Sequence, residues 1–155
     1  MGSSGAPPPR LYRLWLTGFG CTSLGTQMLV FGLVWHAALV SPTLAATVLS
    51  AQVVPRVLLT LHGGALSDRI GAFRVMIAAN TTLCALAATG AFAMMVTVPG
   101  ANTLVVIAVA LGAVDAFNIP ASASVPKLLV DAHALGRAIA ARQMLTQGAV
   151  LCGPP

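Results

Sequence analysis

The sequence predicts an all-α fold, a polytopic bundle of membrane-spanning helices. Three observations carry that reading. Of 155 residues, 57% are hydrophobic and only 7% are charged. Apolar runs of the length a helical span needs, about 20 residues, recur along the chain. The joins between them are short. A soluble domain carries about 25% charged residues, and a water-facing surface cannot be covered with so few. A mean hydropathy of +0.91 also excludes a disordered chain. The runs are continuous, whereas strands of a membrane barrel alternate over about ten residues.

Residues 1–13 open with MGSSGAPPPR, small, polar and proline-rich. They read as a disordered cytoplasmic N-terminus. The first span covers about 14–39. A cleaved signal would stop after an apolar region of about 7–15 residues, so this helix is retained. The second, third and fourth spans cover about 44–66, 73–98 and 103–120. The joins at 41–43, 67–72 and 99–102 are tight and force antiparallel neighbours. The stretch 121–137 is more polar, with Pro126, Lys127 and Asp131, and predicts a short interfacial helix. A fifth span starts near 138 and is cut by the chain end at 155. The prediction is thus four complete spans and the start of a fifth.

Charge orients the bundle, because Lys and Arg concentrate in cytoplasmic joins. Arg10 and Arg13 precede the first span, and Arg69 and Arg74 flank the second join. Lys127, Arg137 and Arg142 surround the junction of the fourth and fifth spans. The joins at 41–43 and 99–102 carry no charge. The reading is a multi-pass protein of the plasma (inner) membrane with its N-terminus in the cytoplasm. The net charge of +5 is spread in this pattern and forms no basic patch, so nucleic acid is excluded as a partner. The surrounding partner is the lipid bilayer.

Gly18, Gly25 and Gly32 share one face of the first span, which predicts close approach of a neighbouring helix there. Gln27 falls on the opposite side and suits a cavity wall. Arg56 lies about twelve residues before Asp68, roughly 18 Å from the cytoplasmic end and close to mid-membrane. Charges inside a span default to functional candidates. Gln27, Arg56 and Gln143 are therefore the candidates for a substrate or proton pathway. Cys21, Cys84 and Cys152 lie far apart, and His36, His62 and His133 lack ligand spacing, so no metal or other cofactor is expected. Neither a catalytic constellation nor a phosphate-binding GxxxxGK[ST] loop occurs, and the chain does not read as an enzyme.

The most specific stretch is Gly63-Gly64-Ala65-Leu66-Ser67-Asp68-Arg69-Ile70-Gly71-Ala72-Phe73-Arg74. Glycine at 64 suits tight packing at the end of the second span, and glycine at 71 a sharp turn into the third. Asp68 and Arg69 offer charge contacts at an interface. The stretch resembles the loop signature of the major facilitator superfamily, roughly G-x-L-x-D-R-x-G-R-R. Gly64, Leu66, Asp68, Arg69 and Gly71 match in register. The two basic residues that follow are replaced by Ala72 and Phe73, with Arg74 next. Asp115-Ala-Phe-Asn118-Ile-Pro120-Ala121, Pro126-Lys127-Leu128, Arg137-Ala138 and Gly153-Pro154 resemble the drug:proton antiporter branch, the macrolide and siderophore exporters.

The resemblance implies the N-terminal part of a twelve-helix fold in two halves of six. It implies a conformational latch made of Gly64, Asp68, Arg69, Gly71, Arg74 and Asp115, with Asp115 paired to Arg69 or Arg74. It implies helix packing at Gly153 and Pro154. The function implied is proton-coupled efflux of small amphipathic compounds by alternating access. An apolar cavity with scarce charge suits hydrophobic or weakly cationic drugs. The C-terminal half is expected to be missing from this chain, and the fragment is not expected to transport alone. An importer of a small metabolite and a four-helix scaffold without transport activity are the alternatives.

Overall fold

A computed structural model describes residues 10–96, 100–129 and 135–152. It is all helical: α1 (Arg10–Val40), α2 (Pro42–Ile70), α3 (Ala72–Val96), α4 (Ala101–Leu129) and α5 (Leu135–Cys152). The first four are long and apolar enough to cross a membrane. The expected disorder of residues 1–9 lies outside the described residues, and so does the packing expected of Gly153 and Pro154.

Three boundaries differ from the sequence reading. Helix α1 begins at Arg10, so residues 10–13 are helical rather than a disordered lead. Tyr12 explains the extension, because it is 2% exposed and its hydroxyl donates to the Ala138 carbonyl at 2.8 Å. That contact ties the start of α1 to α5. The joins around α2 shrink to single residues. Ser41 is extended and accepts at Oγ from the Leu44 amide at 3.1 Å, with Pro42 in the first turn. This is an N-cap that satisfies one orphan donor of α2.

The third difference is α4, which does not stop at Pro120. It runs through Pro120 and Pro126 to Leu129, so no separate interfacial helix begins at 121. A proline inside a helix leaves the carbonyl four residues earlier without its donor, here that of Ala116. Neighbouring helices make such positions tolerable within a membrane. Ala116, Ala121 and Val125 are fully buried, so packing holds α4 helical where local preference would end it.

Helices α2 and α4 share the most extensive contact, followed by α3 with α4 and α1 with α2. Two glycines set how close α2 and α4 come. A Cβ on Gly112 would stand 2.0 Å from the Gln52 carbonyl oxygen, and one on Gly63 would stand 2.4 Å from the Ala116 carbonyl oxygen. Close approach at small residues is how helices pack in lipid, where apolar burial gives no net drive. The sequence reading placed this role on Gly64, but space beside Gly64 is open. It also placed packing on Gly18, Gly25 and Gly32, and a Cβ at each of these meets nothing within 4 Å. A shared face proves small residues, not a neighbour, and among the described residues none stands against this one.

A core of Leu33, Ala37, Val48, Leu83, Leu104, Ala108 and Leu111 joins the four long helices. Large apolar side chains such as Leu61 and Met95 point outward, the inverse of a soluble protein. Thr47, Thr81, Thr82 and Thr89 each return the hydroxyl to the carbonyl four residues back. Their polar atoms are thereby satisfied where lipid offers no partner.

Candidate functional site

Polar residues from all five helices converge on a cavity of about 580 Å³. From α1 come Trp15, Phe19 and Gln27, on the arc of the helix that also carries Thr22 and Thr26. Helix α2 supplies Arg56, and Pro55 just before it is inside the helix. Helix α3 supplies Met76 and Asn80, α4 supplies Asp115, Asn118 and Ser122, and α5 supplies Arg142 and Gln143. The wall exposes more apolar than polar surface, as expected, but two arginines and a carboxylate interrupt it.

Hydrogen bonds across the helices give the wall its shape. Asn118 donates Nδ2 to Asn80 Oδ1 at 3.1 Å, which joins α4 to α3 and leaves Asn118 Oδ1 buried without a partner. The Trp15 indole donates to Met76 Sδ at 3.3 Å. Arg142 donates Nη2 to Ser122 Oγ at 3.0 Å, and its guanidinium lies 4.9 Å over the Phe19 ring. Trp15 and Phe19 stack with centroids 5.5 Å apart. Their rings form an apolar shelf on α1 beneath the Arg142 charge.

Arg56, Gln27 and Gln143, chosen from sequence as pathway candidates, are brought together at this cavity. Asp115 was read as part of the latch near the cytoplasmic end, paired with Arg69 or Arg74. The continuation of α4 to Leu129 leaves it deep in the helix instead. It is 8% exposed and lies on the cavity wall that Arg56 also lines. Arg142, read as a flanking charge at the junction of α4 and α5, also belongs to the cavity. Sequence reasoning passed over Asn80, Asn118, Ser122 and Trp15. The signal for Asn80 and Asn118 was present, since amides inside spans need partners.

The remaining latch residues sit around Gly71. Asp68 and Arg69 occupy the exposed last turn of α2, and Arg74 the exposed first turn of α3. Gly71 has φ 96 and ψ 132, and its amide donates to the Ser67 carbonyl at 3.0 Å. Only glycine adopts this backbone without strain. Gly71→Ala is expected to cost about 1–3 kcal/mol, although nothing crowds a Cβ there. Thermal unfolding in detergent measures this, and an unchanged midpoint would contradict the turn.

Among the described residues no group of three His, Cys, Asp or Glu comes together as a metal site. No curated protein and no solved structure matches the chain. The family model for the Major Facilitator Superfamily matches residues 15–155. With four helices fit to span a membrane and polar side chains gathered between them, that match settles the family: the chain belongs to the Major Facilitator Superfamily, a family of membrane transporters.

Proposed function

We propose that the chain supplies the N-terminal bundle of a secondary transporter that exports small amphipathic compounds in exchange for protons. The carrying observation is the cavity that Arg56 and Asp115 both line within the spans. Charged groups are costly inside a bilayer and are found there where ions or substrates pass. Asp115 is the carboxyl that exchanges its attraction to Arg56 for a proton, so loading and release of the proton change the charge of the cavity. Alternating access needs a second half to rock against this one, with the turn at Asp68–Gly71 as the contact that opens and closes. In this reading the protein works in the plasma (inner) membrane with its N-terminus in the cytoplasm.

The test is accumulation of labelled anionic, neutral and cationic amphipathic compounds in cells with and without the gene. Cells producing this bundle together with the second half it rocks against are expected to hold severalfold less of at least one compound. A protonophore is expected to abolish the difference. Greater accumulation in producing cells would point to import. Equal accumulation of every compound would remove the transport reading from this cavity.

A further inference from the structure

The cavity carries more positive than negative charge. Arg56 and Arg142 both line it, and Asp115 is its one carboxylate among the described residues. Asp115 feels the charge of Arg56 and forms no ion pair with Arg142. Arg142 is left with neutral neighbours: the Ser122 hydroxyl on Nη2 and the Phe19 ring beneath. Its Nε is buried and meets no acceptor. The chain has only three acidic residues. Asp68 sits at the exposed end of α2, and Asp131 lies outside the described residues. A guanidinium presents a planar fork of donors matched to a carboxylate. Leaving such a cation without a counter-charge inside a membrane bundle is unfavourable. Beside it, the stacked rings of Trp15 and Phe19 offer a flat apolar surface.

We propose that the cavity binds an amphipathic organic anion, with its carboxylate on Arg142 and its apolar body against Trp15 and Phe19. The inference rests on the transport reading for its setting, yet concerns only the charge of the ligand. It reverses the sequence expectation of hydrophobic or weakly cationic drugs. Arg142 supplies the recognition of charge, and Gln27 and Gln143 on the same wall supply neutral hydrogen bonds.

The experiment uses the chain purified in detergent with Trp35→Phe, since Trp35 is 56% exposed and its removal leaves Trp15 as the reporter. Quenching of Trp15 is titrated with three probes sharing one ring system: 2-naphthoate, 2-naphthylmethanol and 2-naphthylmethylammonium. Naphthoate is expected to bind saturably and at least tenfold more tightly than either of the others. Arg142→Gln is expected to erase that preference, and Arg142→Lys to keep part of it. Far-UV circular dichroism shows whether each variant retains its helices. Tighter binding of the ammonium, or a naphthoate preference that survives in folded Arg142→Gln, overturns the inference. So does failure of all three probes to bind. Each of these results leaves the transport reading standing, because that reading is decided by proton-dependent accumulation in cells.

Discussion

Gly112→Ala is expected to unseat α4 from α2. The added methyl would lie 2.0 Å from the Gln52 carbonyl oxygen and 2.8 Å from its carbon. Both are backbone atoms, so no side-chain rotation relieves the clash and one helix must move. Overpacking a well-filled contact costs about 1–3 kcal/mol, and a backbone collision at the largest helix contact belongs at the upper end or beyond. Gly63→Ala meets the Ala116 carbonyl at 2.4 Å and is expected to act in the same direction. Gly25→Ala is the control, because nothing lies within 4 Å of a Cβ there and alanine favours a helix interior by about 1 kcal/mol. The measurement is the thermal midpoint of helical circular dichroism in detergent, with elution volume as a check on assembly. If Gly112→Ala melted with Gly25→Ala, the close crossing of α2 and α4 would be wrong.

The same crossing shows what the sequence could reveal. Helix number and approximate spans were legible, because composition and run length are local properties that a membrane solvent imposes directly. The turn at Gly71 was legible too, since a glycine between two apolar runs marks a backbone that other residues resist. Which glycine packs was not legible. Gly63 and Gly64 are adjacent and chemically identical, and only the rotation of α2 about its axis decides between them. The run Gly18, Gly25, Gly32 shares a face by spacing alone, yet spacing does not say which helix stands opposite. Pro120 misled for a related reason. Proline's local effect argues for a helix end, while the burial of Ala116, Ala121 and Val125 against neighbouring helices is a tertiary effect that outweighs it.

Where α4 ends also decides where the charged residues sit. Ending the fourth span at Pro120 put Asp115 one turn from the cytoplasm, within reach of Arg69 and Arg74. With α4 continuing to Leu129, Asp115 moves to mid-helix, on the cavity wall that Arg56 also lines. Arg142 shifted likewise, from a flanking charge to a cavity wall, because the positive-inside pattern sorts residues by sequence position and not by the face they occupy. The gathering of polar side chains at the cavity was the feature least visible in composition. Its side chains are few, come from five helices, and are diluted among apolar residues in every one of them.

Asp115→Asn is expected to lower protonophore-sensitive transport at least tenfold while the protein still folds. The amide keeps the shape of the carboxyl and can neither release a proton nor carry a charge. The cavity that Arg56 lines then loses its one carboxylate among the described residues, so a fall in thermal midpoint is expected as well. Arg56→Gln is expected to destabilise for the mirror reason, with the carboxylate left alone. Arg56 is exposed to the cavity, which weakens the attraction through solvent screening. The double variant restores neutrality. Its midpoint is expected to exceed the additive expectation from the two single changes, with a coupling of about 0.5–3 kcal/mol. Transport is not expected to return with it, because neutrality is recovered without a group that takes up a proton. This separates the two roles: a purely structural pair would regain transport with stability. Strict additivity in the midpoints would break the link between Arg56 and Asp115. Wild-type proton dependence in Asp115→Asn would move the coupling site away from this carboxyl altogether.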